Sequence, residues 1–440
     1  MEPVFALAAV ALVLAAFGAR RSAREVRHWS STARRLGLRW YQSPRLETMS
    51  GEIDGVRVEV TQRRYGGRSD LSVVAEDDDS IDPNMRLSRE WFVKGPASGE
   101  LQIGEREFDR KVYLEGLDDK LAAVLSAGAR ESFIELMRRH QVEVELGRVQ
   151  VSAGGNEMPA ADVEETIAAT VALFRHLAGG GRETAVRLLE HARTDPHPEV
   201  RKTNLRLLFV NHPTSPAANE AVELAHAFLD PELRVLAAAH AARRQRDGTA
   251  LSLLIRSGSM PVDSKLMALH VSRLLGRDFL PALRAALPAT DGEVQGAVAM
   301  RLAELGDDDD VALICTHAAG ATGVAAAGFC AAFRMSARAL DRPRAEALLL
   351  HFLEDDASDT QEAAAIALAE LGTAAAVPAL LERTTGLLRS TAVKSAARAA
   401  VAVIQAHIEG AEAGDLSLVA PDDTTGELSI AAESGELRVT

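Results

Sequence analysis

Cysteine is almost absent from this chain: 440 residues contain only Cys315 and Cys330. Two thiols supply neither a disulfide framework nor a Cys-rich metal site, so the fold must be held by burial, for which the chain is long enough. Aromatic residues are scarce as well, at 4%, while hydrophobic residues reach 47% and alanine leads them. This mixture favours closely packed helices over a β-sandwich or barrel, because alanine loses no side-chain entropy in a helix and packs poorly on a sheet. Basic charge is in deficit, with 49 Lys+Arg against 63 Asp+Glu and a net charge of -14. A general nucleic-acid binder needs a basic stripe to hold phosphates, so no nucleic acid is expected as a partner. Catalytic motifs are missing too: there is no G-x-x-x-x-G-K-[ST], H-E-x-x-H, G-x-S-x-G or EF-hand loop. We therefore expect no catalytic residue, no cofactor and no metal, in a protein that is not an enzyme.

The longest apolar run is Val4–Ala19, sixteen residues without a charge. As a helix it rises about 24 Å, short of the roughly 30 Å hydrocarbon layer unless arginines snorkel or the bilayer thins. Glu2 precedes it, whereas Arg20, Arg21, Arg24, Arg27, Arg34, Arg35, Arg39 and Arg45 follow it. A signal peptide carries its positive charge before the apolar run, and the positive-inside rule keeps the arginine side in the cytoplasm. These features lead to the expectation of a transmembrane helix and basic linker over 1–45, giving a single-pass membrane protein with its bulk in the cytoplasm.

Residues 46–180 have a mixed pattern. GEIDGVRVEVTQRR at 51–64 alternates Val56, Val58 and Val60 with charged residues, the period of a half-buried strand. Further strands are expected around Leu71–Val74, Phe108–Leu114 and Val142–Val151. Helices are expected over Asp118–His140 and Ala161–Leu177, which makes a small α+β domain. Gly104, Phe108 and Asp109, followed by VYLEG at 112–116, loosely resemble an element of uncharacterised bacterial membrane-proximal domains. Asp109 and Asp118 read as a solvated strand end and a helix N-cap rather than a carboxylate pair. Trp40, Tyr41 and Trp91 mark packing, a ligand groove or a membrane interface. Gly179–Gly181 lacks the strand and lysine of a phosphate cradle and reads as a linker.

From about Glu183 to His407 the chain keeps restarting. LAELG occurs at 302–306 and again 66 residues later at 368–372, and PEVR at 198–201 is followed 33 residues later by PELR at 231–234. The glycines, Gly276 among them, read as left-handed helix stops. Pro198 and Pro231 suit first-turn positions, and Asp230 and Asp291 suit N-caps. Each of these helices follows a shorter apolar one, giving roughly seven hairpins of 30 to 35 residues, too small to bury an apolar stripe alone and therefore expected to stack. The units resemble HEAT repeats, including the HEAT-like repeats of the phycobilin-lyase type, in their D-x-x-x-V-R style starts, their A-x-x-A-L-A-E-L-G ending and the A-V-P-A-L at 376–380. The expected fold is thus mainly α: an α-α superhelical solenoid over 181–409, preceded by the small α+β domain and the transmembrane helix. The acidic tail over 410–440 repeats Gly-[Asp/Glu]-Leu and reads as mostly disordered.

The resemblance implies a surface for protein partners on the second helices of the hairpins. Arg201, Arg234 and Lys265 fall in first turns of those helices, and Gln295, Gln361 and Lys394 continue the register. The first three are the candidate partner-binding residues, facing an acidic segment; otherwise they bond to loop carbonyls or acids between units. His226 with His240 and Cys315 with His317 lack ligand geometry, and Asp307–Asp310 reads as a solvated helix start. The functional expectation is a non-catalytic, membrane-tethered scaffold or adaptor. Two alternatives stand beside it: a bilin lyase or isomerase-like enzyme using the repeat groove, as the resemblance implies, and a purely structural envelope component.

Overall fold

The computed structural model describes residues 29–43, 46–65, 68–77, 80–90, 100–155, 160–178, 182–336, 341–385 and 390–407. Two compact units divide the chain between Ala227 and Phe228.

The first unit is built on an eight-stranded sheet: β1 (Arg39–Gln42), β2 (Leu46–Ile53), β3 (Val56–Tyr65), β4 (Arg68–Glu76), β5 (Arg86–Arg89), β6 (Val112–Glu115), β7 (Gln141–Glu145) and β8 (Arg148–Gly155). Their spatial order is β1-β2-β3-β4-β8-β7-β5-β6, and every pairing is antiparallel. Alternation sends Val56, Val58, Val60, Leu71, Val73, Val142, Val144, Val149 and Val151 to a buried face. That face is covered by α5 (Ala160–Ala178), which crosses β3, β4 and β8, and by α4 (Ala127–Arg139), which lies against β7. On the opposite face, Glu52, Arg57, Glu76, Arg148 and Glu145 stand directly opposite one another on successive strands. Glu145 continues to Arg86 at 4.0 Å. A one-residue slip at any of these pairings would break the alternating charges and turn the valines outward, so both faces specify the same register.

The sheet region departs from the sequence expectation in three places. Phe108–Leu114 is not one strand but a short helix, α2 (Arg106–Lys111), followed by β6. Phe108 is buried edge-on against Phe133, with ring centroids 6.2 Å apart. Asp109, far from a solvated strand end, is buried and accepts the backbone N–H groups of Ile103 (3.0 Å) and Gly104 (2.9 Å). Residues 118–140 form two helices, α3 (Asp118–Val124) and α4, because Ser126 caps α4 by accepting the Ala129 N–H at 3.2 Å. Asp118 is the first residue of α3 rather than its N-cap, which is Leu117. Val142–Val151 is a hairpin whose two-residue turn, Leu146-Gly147, has φ of 51° and 77°. Three helices complete the unit: α6 (Thr184–Thr194), α7 (Pro198–Asn211) and α8 (Pro216–Ala227). Helix α3 packs on α6 and α7, and α8 on both.

The expectation of a transmembrane helix is corrected here, and with it membrane tethering and a single-pass topology. Among the described residues no helix is long and apolar enough to cross a membrane. The run that motivated it, Val4–Ala19, lies outside the described residues, and as a helix it falls short of the bilayer core. Trp91, Gly179–Gly181 and the 410–440 tail also lie outside them. Of the helical residues 29–35 (α1), Trp29, Thr32 and Ala33 are buried, and Thr32 and Arg35 both bond Glu164 of α5.

The second unit is helical throughout its described residues: α9 (Pro231–Gln245), α10 (Thr249–Arg256), α11 (Val262–Val271), a 3-10 segment Ser272–Phe279, α12 (Leu280–Ala286), α13 (Gly292–Leu305), α14 (Asp308–Ala318), α15 (Gly323–Met335), α16 (Arg342–Leu353), α17 (Ser358–Leu371), α18 (Val377–Thr384) and α19 (Thr391–His407), with short 3-10 turns ahead of α13 and α18. Helices α9, α11, α13, α15, α17 and α19 pack side by side in that order, and α14, α16 and α18 follow one another in a second layer. This is a stacked, repeat-like arrangement of the generic α-solenoid kind. The stack is joined from one pair to the next by polar ties. Arg284 of α12 grips Asp310 of α14 (2.5 and 2.8 Å), Glu346 of α16 accepts the Thr373 N–H (2.7 Å), and Thr360 of α17 donates to the Gly323 carbonyl (2.8 Å).

The glycines that end α13 and α17 are not left-handed. Gly306 has φ -78° and Gly372 φ -73°, both extended. They are glycine for lack of room: a Cβ would stand 2.7 Å from the Leu302 carbonyl oxygen at Gly306 and 2.6 Å from that of Leu368 at Gly372. Asp307–Asp310 is likewise more than a solvated helix start. Asp310 is 1% exposed, and with Asp307 it forms a reciprocal capping box at the start of α14.

Candidate functional site

The three residues singled out for partner binding fall in different units. Arg201 stands on α7 in the first unit, half-buried; Arg234 on α9 and Lys265 on α11 belong to the second. Arg234 directs one guanidinium nitrogen toward the Met260 thioether at 3.9 Å, beside the start of α11. Among the described residues neither Arg234 nor Lys265 has a carboxylate partner, in contrast to Arg284, Arg301 and Arg334 of the same unit, which are all paired. Two residues in the same register have a structural task. Gln295 donates to the Leu287 carbonyl (3.2 Å) and Gln361 to that of Asp355 (2.5 Å), each tying its helix to the loop before it. At the two glutamines, then, this register position stitches the stack, while Arg234 and Lys265 leave their charges uncommitted to any described carboxylate.

Sequence reasoning missed the most elaborate polar cluster of the first unit. Arg130 of α4 is 1% exposed and makes a bidentate pair with Asp195, at 2.9 and 3.1 Å. Its Nε donates to Glu105 (2.5 Å), and a further N–H donates to the Leu125 carbonyl (2.8 Å). Burial opposes its charge, yet the carboxylates of Asp195 and Glu105 outweigh that and hold its pKa above the ordinary arginine value. Asp195 also accepts the His197 N–H at 3.0 Å, fixing the turn between α6 and α7. Two histidines reinforce the contact of these helices with α3: His191 bonds the Ala122 carbonyl (3.1 Å) and His212 the Asp119 carboxylate (2.8 Å). No local spacing announces this cluster, because Glu105, Arg130 and Asp195 are separated by 25 and 65 residues.

The chemistry available from these groups is limited. The nitrogens of Arg130 and both carboxylate oxygens of Asp195 are engaged within the cluster, as in a structural ion network. A groove of about 750 Å³ runs between α4 and α5, with Arg139 bonded across it to Glu165 at 2.7 Å. His140 in its wall has its pKa pushed down, first by burial and then by Arg139. Neither cysteine is an activated nucleophile: Cys315 and Cys330 are buried in the second unit, and burial pushes the Cys330 thiol up to about 12. Among the described residues no group of three or more His, Cys, Asp or Glu side chains is placed to hold a metal ion. Trp40 is half-buried on the edge strand β1 beside Tyr41, which is exposed. Comparison with protein-family models, with curated proteins and with solved structures found no match in any of the three.

Proposed function

We propose that this protein is a non-catalytic scaffold that binds a protein partner along the helical stack of its second unit, through an acidic segment of that partner. The observation that carries the reading is the pair of half-buried cations, Arg234 and Lys265, in first turns of adjacent helices with no described carboxylate to neutralise them. In a protein of net charge -14, such cations on neighbouring helices attract an acidic ligand and fix its register. The resemblance of the repeats to HEAT-like units supports the same reading, since stacked helix pairs present extended surfaces rather than closed pockets. Arg201 is the third cation of this register, on the first unit.

Affinity capture with the full chain tests the reading, the full chain being used because α3 packs on α6 and α7. A variant carrying Arg234→Glu and Lys265→Glu is expected to lose an acidic partner that the native protein retains, and the native interaction should weaken with added salt. Equal capture by both forms at every salt concentration removes the basic surface from consideration. Failure of the native chain to retain any partner reproducibly counts against the scaffold itself.

A further inference from the structure

A second cavity in the first unit, of about 360 Å³, opens where the start of α4, the end of α5 and the outer side of α6 meet. Three arginines line it, Arg175, Arg182 and Arg187, together with His176 and the Ser126–Gly128 segment. The partners of these cations are unequal. Arg175 is paired with Asp54 at 3.0 Å, and Arg182 with Glu190 at 2.7 Å. The other carboxylate on the rim, Asp195, is spent on Arg130. Arg187 is half-buried, and among the described residues it makes only a long contact to the His176 carbonyl at 3.5 Å, with no carboxylate partner.

Arg130, which is paired with Asp195 at the end of α6, stands in contrast. The Arg130 side chain is withdrawn from water and Arg187 is withdrawn in part, each at a cost that the cation must recover from anions or acceptors around it. Arg130 recovers it within the chain, and its pKa is raised. Arg187 does not: burial lowers its pKa, Glu190 restores part of that, and Arg182 adds to the depression. A planar fork of N–H donors facing an open cavity, beside a second arginine, matches an oxyanion with several acceptor oxygens.

We propose that this cavity is a binding site for a small phosphate-bearing anion, with Arg187 as the principal ligand and Arg182 as an auxiliary one. The site is independent of the partner surface on the second unit. Its volume accommodates a phosphate monoester, and the free species and a phosphorylated metabolite share the group that Arg187 recognises. Binding takes the charge of Arg187 out of isolation and ties α6 to the start of α4.

The test is thermal unfolding of the full chain with inorganic phosphate, against chloride at equal ionic strength, followed by calorimetric titration. Phosphate is expected to raise Tm saturably where chloride does not, since a ligand that binds only the folded state stabilises it by mass action. Arg187→Gln should abolish the phosphate response, and Arg182→Gln should weaken the affinity several-fold. Arg193→Gln, on the same helix but outside this cavity, should leave the response unchanged. Without phosphate, Arg187→Gln should melt no lower than the native protein, because an uncompensated cation is removed; this also shows that the variant folds. Repeating the titration with glycerol phosphate and with succinate separates phosphate recognition from general anion binding. Equal effects of phosphate and chloride, a full response in Arg187→Gln, or succinate binding as tightly as phosphate would each overturn the proposal.

Discussion

Leu146 occupies a position that its side chain suits poorly. It takes φ of 51° in the β7–β8 turn and is 70% exposed, so it bears left-handed strain without the reward of burial. Leu146→Asn should stabilise the protein by about 0.5–1 kcal/mol, because asparagine tolerates that conformation and favours two-residue hairpin turns. Urea unfolding measures this, and a loss of stability would show the leucine to be covered in solution. His191 is a different case, a buried group whose pKa is pushed down first by burial and further by Arg187, against the Ala122 carbonyl, Asp195 and Glu190, which act upward. The folded protein therefore binds this proton less readily than the unfolded chain does. Its contribution is complete above the ordinary imidazole value of 6.5 and is lost progressively as pH falls through and below that value. Compared across pH 5 to 8, native protein should lose stability relative to His191→Gln at the acid end; parallel profiles would mean that the imidazole is solvated. Arg130 is the buried cation of the first unit's ion cluster. Arg130→Met leaves Asp195 buried without its partner and should cost about 3–5 kcal/mol.

Helix against helix, α13 and α15 meet glycine on glycine. A Cβ on Gly328 of α15 would stand 2.4 Å from the Gly296 Cα of α13. Gly328→Ala gains up to about 1 kcal/mol in helix propensity. It forces the two helices apart at a cost of about 1–3 kcal/mol, so net destabilisation is expected. Gly320→Ala, whose Cβ meets nothing within 4 Å, is the control; equal effects of the two would contradict the tight crossing. These elements also show which features were legible in the sequence. Helix starts at Pro198, Pro231, Val262, Gly292 and Ser358 recur at 30 to 33 residues or twice 33, because prolines, caps and an apolar period are local signals. The strands around Val56–Val60 and Leu71–Val74 were legible from alternation. The shape of 106–115 was not, since a six-residue helix gives too little period to tell from a strand, and what holds it is Asp109 bonding back to residues 103 and 104. Strands β1 and β5 were missed for a related reason: each has four residues and is defined by its neighbours. The Arg130 cluster and the Arg187 cavity were invisible because their members meet only through tertiary packing. The left-handed reading of the glycine stops holds at Gly276, with φ of 54°, whereas Gly306 and Gly372 are demanded by crowding against a carbonyl rather than by backbone angle.

At the scale of the whole chain, the two compact units are stabilised differently: the first by a sheet with covering helices and a buried ion cluster, the second by repeated contacts between neighbouring helix pairs. Core residues from Val235 to Ile404 form one continuous cluster in the second unit, in which each pair supports the next. Leu302 lies at its centre with no exposure, whereas Leu305 in the same LAELG motif is only half-buried. The substitution that probes the stack is therefore Leu302→Asp, which buries an unpaired carboxylate between α13 and its neighbours and should cost at least about 3 kcal/mol. Leu305→Asp has an edge toward solvent and should cost clearly less. Amide exchange distinguishes local from global consequences. In Leu302→Asp, protection should fall first in α13, α15 and the helices packed on them, while β3 and β4 of the first unit keep their native exchange. A repeat stack coupled only through neighbours responds in this graded way. Loss of protection in β3 and β4 in step with α13 would instead mean that the two units unfold as one.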